Sequence, residues 1–267
     1  MSLYMLLKEQ IANFYLLNKL AIFQLKSDNK NNMLGVLWEF LNPLIQIFMY
    51  WFVFGLGIRG NAEIDGVSFV YWMLAGIVMW FFVNAAILEG TRSMYQKYSL
   101  VSKMNFPLTV IPGYVVMSKL YIHLIMLSMI LIIFWISGYL PSIYYLQLIY
   151  FIVFTYVFSY AVALLASTLA VIVRDVHLLV QAGLRVLFFV SPILWLPDRL
   201  PEFVQKLIQL NPFYYLANGY RASLLYDDWY IISHWQLTLY NVAFVLILLI
   251  IGSSIHFKMR DRFADYV

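Results

Sequence analysis

Two adjacent aspartates, Asp227 and Asp228, come closest to a catalytic pattern in this sequence. Clustered aspartates hold magnesium diphosphate in membrane prenyl transferases, because Mg²⁺ takes carboxylate and phosphate oxygens as ligands. Such a site needs a second aspartate cluster, and the sequence contains none. A solvated turn is therefore the favoured interpretation of this pair.

Other motifs that carry chemistry are absent. The sequence contains no GxxxxGK[ST] phosphate loop, no HExxH zinc motif and no GxSxG nucleophile elbow. It has no cysteine, which excludes disulfides, thiolate metal sites and cysteine nucleophiles. Its histidines are scattered and are interpreted as packing or interfacial residues: His123, His177, His234 and His256. The sequence thus predicts no catalytic residue, no metal site and no hydrolysis of ATP through a phosphate loop.

Four ionisable residues lie inside otherwise apolar segments: Glu39, Glu89, Lys119 and Arg185. Charged side chains are costly in lipid, so each is expected to face a polar path, to pair internally or to reach the membrane surface. If Lys119 and Arg185 line a path, that path suits an anionic substrate. Pairing of these cations with Glu39 or Glu89 is the alternative, and the sequence leaves both open.

The segments that must position these residues are predicted to cross a membrane. Hydrophobic residues make up 64% of the 267 residues and charged residues 11%, against about 25% charged residues in soluble domains. Runs such as VAFVLILLIIG do not alternate as barrel strands do, and about 20 apolar residues suffice for a spanning helix. The sequence predicts an all-α integral membrane protein with six transmembrane helices, at about 34–57, 69–89, 108–136, 144–171, 177–196 and 237–256.

The distribution of Lys and Arg predicts the orientation. The segments on the side of the two termini hold eleven Lys and Arg, and the opposite loops hold four. Lys and Arg gather on the cytoplasmic side of membrane proteins. Both termini are therefore predicted to be cytoplasmic.

Segments outside the spans are predicted to have structure of their own. Residues 1–33 form an interfacial helix on the membrane surface, with a soluble helix as the alternative, and residues 34–267 form the transmembrane domain. The apolar face of that first helix is predicted to hold Leu3, Leu7, Phe14, Ala21 and Leu25. Residues 94–101 are predicted to form a short helix parallel to the membrane.

The outer segment 197–236 is apolar enough to re-enter the membrane as half-helices between spans 5 and 6. Its prolines, Pro197, Pro201 and Pro212, are expected at helix starts. Aromatic residues make up 19% of the chain, and some lie within spans, such as Trp72 and Trp80. Aromatic faces can stack on sugar rings, although packing against lipid is the less specific explanation.

Several stretches resemble one family. LGVLWEFLNPLIQ at 34–46 resembles the start of the first span in ABC-2 type exporter permeases, the membrane subunits of polysaccharide ATP-binding-cassette exporters. KMNFPLTVIP at 103–112 and VRDVHLLVQAGLRVLFFVSPILW at 173–195 resemble the start of their third span and their fifth span, and NP at 211–212 and FADYV at 263–267 fit their outer loop and tail. Within the family, the stretch 34–60 is similar to wall teichoic acid exporter permeases of Gram-positive bacteria. O-antigen permeases share the general pattern.

The resemblance implies a transport subunit and not an enzyme. Two copies of the chain would pair with two copies of a separate nucleotide-binding ATPase subunit. That partner would bind ATP and Mg²⁺, so this chain would hold no cofactor. The complex would move lipid-linked teichoic acid, a polyanionic glycopolymer, from the inner to the outer face of a bacterial plasma membrane, among membrane lipids and with no nucleic acid.

The resemblance also implies roles for particular segments. The interfacial helix would form a gate, and half-helices at about 201–225 would close the outer mouth. The coupling helix to the ATPase would hold Tyr95, Gln96, Lys97, Tyr98, Ser99, Leu100 and Val101. The substrate path would hold Trp38, Glu39, Asn42, Trp72, Trp80, Lys119 and Arg185, and a cytoplasmic loop would hold Arg174 and Asp175. Pro43 would kink or start the deeper helix of the first span.

Other functions stay open at this point. An O-antigen or capsular polysaccharide exporter permease would share the same fold. A membrane enzyme acting on polyprenyl-linked substrates would need a catalytic cluster. A channel or an ion-coupled carrier would need intramembrane carboxylates, and only Glu39 and Glu89 qualify, both near cytoplasmic ends of spans.

Overall fold

The computed structural model describes residues 2–28, 30, 32–59, 63–101 and 106–265. It is helical apart from one short hairpin. The α-helices are α1 (Ser2–Ala12), α2 (Phe14–Asp28), α3 (Trp38–Tyr50), α4 (Phe69–Val101), α5 (Val110–Ile136), α6 (Leu146–Ile172), α7 (Val176–Val190), α8 (Glu202–Gln209), α9 (Pro212–Leu225), α10 (Tyr230–Ser233) and α11 (Trp235–Met259). A π-helix, Trp51–Arg59, continues α3, and 3₁₀ turns lie at Gly35–Leu37, Ile143–Tyr145, Pro197–Arg199 and Arg260–Asp265. The family-like residues 103–105 and 266–267 lie outside the described residues.

Across the described residues, five helical segments are long and apolar enough to cross a membrane: Gly35–Phe54, Phe69–Tyr98, Val110–Ile136, Ile143–Ile172 and Trp235–Phe263. They correspond to five of the six predicted spans. The helix at the remaining predicted span is α7, which has 15 residues and stops at Val190, before Ser191 and Pro192. At 1.5 Å per residue it is shorter than the roughly 30 Å hydrocarbon core. The sequence therefore predicted the helices well, but the length of α7 does not by itself make a sixth crossing.

The first span is the least packed. None of its most apolar window, within Gly35–Phe54, is buried inside the structure. Pro43 lies inside α3 and does not start a deeper helix, so that part of the prediction is wrong. The change of helical type instead occurs at Trp51, eight residues further on.

Helix α4 is the centre of the bundle. It contacts α5, α6, α7 and α9, and 72% of its apolar window is buried. Close approach to α6 depends on Gly90, where an added Cβ would lie 2.6 Å from the Cβ of Ala163. Small residues at such contacts let helix backbones pack closely in membrane proteins.

The C-terminal end of α4 corrects one expectation. Residues 94–101 are helical, but they continue α4 and do not form a separate helix parallel to the membrane. A helix of 33 residues is about 50 Å long, well beyond the roughly 30 Å of the hydrocarbon core. No residue inside it breaks the helix, because 69–101 contains no proline.

The N-terminal segment is two helices and not one. The helix is interrupted at Asn13, whose side-chain amide donates to the carbonyl of Glu9. On the apolar face predicted to lie on the membrane surface, Leu7 and Phe14 are exposed, whereas Ala21 is buried against the bundle together with Leu6 and Leu17. The outward face of α1 and α2 is rich in apolar residues: Tyr4, Leu7, Ile11, Phe14, Tyr15, Ile22 and Phe23.

Both termini lie at one end of the bundle, which we call the terminal end. The hydroxyls of Ser2 and Ser254 are 2.9 Å apart, and Arg260 forms an ion pair with Glu9. Glu9 also accepts a hydrogen bond from Thr109 at the start of α5. The helices α1 and α2 are thereby attached to the bundle and to the C-terminal end of α11.

The opposite end, which we call the loop end, carries the hairpin and α8 to α10. Strands Glu63–Ile64 and Val67–Ser68 pair antiparallel across Asp65 and Gly66, whose φ angles of 49° and 77° suit a tight two-residue turn. Pro201 and Pro212 stand at the starts of α8 and α9, as predicted, and Asn211 caps α9 by accepting from the Phe213 amide. Helix α9 is buried against α4 and α6.

Gly90→Ala is expected to lower the thermal unfolding midpoint, because its new Cβ would push α6 away from α4. Overpacking of this kind costs about 1–3 kcal/mol. Gly183→Ala is the matched control, since a Cβ there meets no heavy atom within 4 Å. Circular dichroism of both variants in one detergent would measure the midpoints, and equal values would contradict the close contact.

Candidate functional site

A buried lysine joins four helices near the terminal end. The Nζ of Lys119 on α5 lies 3.0 Å from Glu89 on α4, 3.4 Å from Asp28 at the end of α2 and 3.6 Å from Glu39 in the first turn of α3. The lysine side chain is 3% exposed, and those of the three carboxylates are 23–38% exposed. A buried ammonium group needs a partner of opposite charge, and three converge on this one. We call these four residues the Lys119 cluster.

The structure shows for Lys119 the internal pairing that the sequence left open as one of two alternatives. Lys119 pairs with both carboxylates named as its possible partners, Glu39 and Glu89. Arg185, the other cation, is exposed on α7. The sequence did not indicate Asp28, because it precedes the first span and is separated from Lys119 by 91 positions.

A polar cavity of about 320 Å³ opens beside the Lys119 cluster. Its lining includes Asp28, Glu39, Glu89, Arg92, Gln96 and Lys97. Its three carboxylates are matched by three cations: Arg92 and Lys97 in the lining, and Lys119 behind the carboxylates. The formal charge of these described groups is therefore zero. The cavity brings Glu39, predicted for the substrate path, next to Gln96 and Lys97, predicted for the coupling helix.

The other residues predicted for the substrate path lie apart in this chain. Trp38 and Asn42 are exposed on α3. Trp80 is buried between Phe188 and Phe213. Trp72 lies near the start of α4, at the loop end. The single chain therefore does not gather these residues along one path, and their role stays a prediction.

The predicted coupling residues lie on the last turns of α4. Gln96 is exposed, and Tyr95, Lys97 and Tyr98 are partly exposed. The ring of Tyr98 packs edge-on against Phe263, with 5.9 Å between centroids. Ser99, Leu100 and Val101 belong to the helix, but their side chains lie outside the described residues. Arg174 and Asp175 are exposed in the turn between α6 and α7.

Several of the remaining candidates from the sequence form hydrogen bonds within the fold. Asp227 is exposed, while the Asp228 carboxylate accepts from Ser233 and its carbonyl accepts from Gln147. The buried histidines His123 and His256 bond Tyr220 and Thr168. No group of three or more His, Asp or Glu in the described ranges could hold a metal ion.

The residue that sequence reasoning missed is Arg221 on α9. Its side chain is 2% exposed, and its guanidinium donates to the carbonyls of Trp72, Pro192 and Ile193 and to the side-chain oxygen of Asn218. The guanidinium carbon lies 3.4 Å from the ring centroid of Trp72, where the aromatic face attracts a cation. Burial lowers the pKa of Arg221 to about 9, so it stays protonated at neutral pH.

A glycine on α4, Gly76, leaves room for the buried guanidinium of Arg221. A Cβ at Gly76 would lie 2.6 Å from an Arg221 nitrogen. The sequence counted Arg221 among the cations of the outer segment and predicted half-helices at about 201–225, but it did not indicate that this side chain is buried. Apolar residues recur at helical spacing after Asn211 and Pro212, at Phe213, Leu216, Ala217, Tyr220 and Leu224.

Lys119→Met is expected to destabilise the fold by about 3 kcal/mol, because it leaves three carboxylates close together without their cation. The control is Lys206→Met, whose ion pair with Glu202 is largely exposed and is worth at most about 1 kcal/mol. Unfolding titrations in denaturing detergent would compare the two. Adding Glu89→Gln to Lys119→Met should recover part of the loss, and a double variant no more stable than the single one would contradict charge repulsion as the cause.

Comparison with known proteins places the chain. The family model for ABC-2 type transporters matches residues 16–225. The O-antigen export system permease protein RfbA of Klebsiella pneumoniae is 28% identical over 255 residues, covering 94% of this chain and 95% of that protein. A second RfbA of Klebsiella pneumoniae is 27% identical over 255 residues, and RfbA of Myxococcus xanthus is 25% identical over 254 residues, with the same coverage. Because the family model spans most of this apolar, multi-pass chain, the protein belongs to the ABC-2 type transporter family.

Proposed function

We propose that the chain is the membrane subunit of an ATP-driven exporter that moves a lipid-linked polysaccharide of the O-antigen kind across a bacterial plasma membrane. The observation that carries this proposal is the similarity over 94% of the chain to proteins named as O-antigen export permeases. The expectation of teichoic acid finds no support among these relatives, so the proposal adopts the alternative substrate class.

The charge of the polar cavity beside the Lys119 cluster supports an uncharged glycan as the cargo. A teichoic acid carries phosphates along its length, and a polyanion is attracted by an excess of positive charge. The sequence associated an anionic cargo with Lys119 and Arg185 along a path and with the resemblance of 34–60, but three carboxylates lie within 4 Å of the Lys119 Nζ. Carboxylates instead accept hydrogen bonds from hydroxyl groups, which a glycan offers in number.

Six crossings fit the positions of the termini better than five. An odd number of crossings would place the two ends of the chain on opposite sides, whereas Ser2 contacts Ser254 and Glu9 pairs with Arg260. The missing crossing is α7 together with the buried turn that follows it, at Ser191, Pro192, Ile193 and Leu194. Non-helical backbone is tolerated at membrane depth when its polar groups are satisfied by protein, and Arg221 donates to the carbonyls of Pro192 and Ile193. In this arrangement α8 and α9 re-enter the membrane from the outer side, and both termini are cytoplasmic.

The proposed partners are those that membership of the ABC-2 type transporter family implies, and the length of α4 supports the place of contact. Two copies of the chain pair with two copies of a separate ATPase, which binds ATP and Mg²⁺. The last turns of α4 extend past the hydrocarbon core and present Gln96 and Lys97 to that ATPase. The apolar outward face of α1 and α2 rests on the inner leaflet and forms the gate for the lipid-linked cargo.

Lys97→Glu is expected to uncouple ATP hydrolysis from export, because Lys97 lies on the surface proposed to contact the ATPase. Export per ATP hydrolysed in reconstituted vesicles should fall about tenfold, the effect of about 1.4 kcal/mol. Lys206→Glu at the loop end, where the side chain is 70% exposed, is the control. Tyr98 is left intact because its ring packs against Phe263. Unchanged coupling in Lys97→Glu would contradict the assignment of this surface.

The substrate class is tested on the complex purified in mild detergent from its native membrane. An ATPase subunit should accompany the chain in equal amounts, and lipid-linked uncharged glycan should stimulate hydrolysis more than lipid-linked poly(glycerol phosphate). A chain that purifies without any ATPase would overturn the ATP-driven exporter. Stimulation by poly(glycerol phosphate) alone would restore teichoic acid as the cargo.

A further inference from the structure

A second cavity lies at the loop end and has no role in the function proposed so far. Its volume is about 350 Å³, within the range of roughly 300–1,000 Å³ typical of small-molecule pockets. Its floor includes Trp72 and Arg221, and three carboxylates line it: Asp65 in the hairpin turn, Asp198 before α8 and Asp228 after α9. Asp65 and Asp198 are exposed, so these two carboxylates stand at the open rim.

The charges and donors of this cavity exclude two classes of ligand. A metal ion is disfavoured because no three carboxylate or imidazole groups of the described residues are close enough to coordinate one. An anion is disfavoured because, among the side chains that the structure describes, three carboxylates and one cation, Arg221, line the cavity, so the formal charge of this described lining is negative. The guanidinium is also occupied, since its Nε, Nη1 and Nη2 already donate to Trp72, Pro192, Asn218 and Ile193.

The remaining lining groups suit a polyhydroxylated ring. Tyr214 and Tyr226 are partly exposed aromatic residues in the wall, and aromatic faces pack against the apolar faces of sugars. The Tyr226 hydroxyl is buried and has no hydrogen-bond partner among the described residues. Burial raises the pKa of Tyr226 to about 12, so at neutral pH the phenol keeps its proton and can donate it. The rim carboxylates accept hydrogen bonds from hydroxyl groups.

We propose that the loop-end cavity is a binding site for a short stretch of uncharged glycan, with the carboxylates of Asp65, Asp198 and Asp228 accepting from sugar hydroxyls, and Tyr214 and Tyr226 packing against the rings. Arg221 forms no ion pair with the uncharged sugar. Its hydrogen bonds to the carbonyls of Trp72, Pro192 and Ile193 stabilise the floor of the cavity. This inference deepens the proposed function, because it places a contact for the exported glycan at the end of the bundle away from the Lys119 cluster. Trp72 and Glu89 are 17 residues apart on α4, about 25 Å along the helix.

The test measures sugar binding directly on the full chain in lipid nanodiscs, without ATPase. Glucose, galactose, mannose, rhamnose and N-acetylglucosamine, and disaccharides of these, are titrated at millimolar concentrations while saturation-transfer-difference NMR records binding. At least one sugar should give a saturable signal. The double variant Asp198→Asn with Tyr226→Phe should raise its dissociation constant about tenfold, because Asn lacks the negative charge and one of the two acceptor oxygens, Phe lacks the phenol donor, and both changes keep the shape of the side chains.

Asp227→Asn is the matched control, since Asp227 is exposed next to Asp228 but is not part of the cavity lining. It should leave the dissociation constant unchanged. The proposal is overturned if no sugar gives a saturable signal, if the double variant binds like the parent, or if Asp227→Asn weakens binding as much as the double variant. The NMR readout needs neither the ATPase nor export, so the two proposals can fail separately. If no sugar binds while glycan export is intact, only the loop-end binding site is refuted. If sugar binds but glycan does not stimulate ATP hydrolysis, only the exporter function is refuted.

Discussion

A buried backbone carbonyl must find a donor, and the arrangement of the loop end depends on how Arg221 meets that need. Helix α7 ends at Val190, and the next residues form a buried turn, so the carbonyls of Pro192 and Ile193 have no partner within a helix. One guanidinium on α9 supplies both donors and also bonds the carbonyl of Trp72 on α4. Three separate segments are thereby joined through a single side chain. An unsatisfied buried polar group costs about 1–3 kcal/mol, so losing this side chain would affect several groups together.

The two buried cations of the described chain are stabilised in different ways that suit their chemistry. The guanidinium of Arg221 is planar and weakly hydrated and presents several donors in a fork, so neutral carbonyls and the face of Trp72 can hold it. The ammonium group of Lys119 is a compact point charge, and it is held by carboxylates from α2, α3 and α4. The first arrangement leaves a cavity whose lining carries more carboxylates than cations, and the second leaves a cavity without excess charge. Neither offers a polyanion a positive surface.

Helix α4 connects these two regions. Trp72 and Gly76 near its start form the contact with Arg221, while Glu89 and Lys97 near its end belong to the polar cavity beside the Lys119 cluster. The same helix is the most buried of the span-length segments and packs closely on α6 at Gly90. One continuous helix therefore contributes residues to the lining of both cavities: Trp72 at the loop end, and Glu89, Arg92 and Lys97 near the terminal end.

The sequence by itself determined the class of the protein and most of its helices. Apolar runs of about 20 residues can satisfy their backbone only as helices in lipid, which is a local property, so the boundaries of α5, α6 and α11 were predicted within a few residues. The prolines at 201 and 212 marked helix starts because proline lacks the amide that a helix start leaves unpaired. The motifs at 34–46 and 173–195 indicated the family because each is a continuous stretch of sequence, which can be recognised without knowing the fold.

Only the tertiary structure decided which charges meet. Lys119 gathers Asp28, Glu39 and Glu89 from positions up to 91 residues away, and Arg221 reaches Trp72 across 149 positions. No periodicity in the sequence encodes such contacts, because they depend on how helices pack and not on spacing along one helix. The break at Asn13 and the continuation of α4 through residue 101 were not predicted either, although both have local causes: the Asn13 side chain bonds the Glu9 carbonyl, and 69–101 contains no proline. The sequence could therefore name Lys119 and Glu89 as unusual, but the physical role of each depended on neighbours that folding supplies.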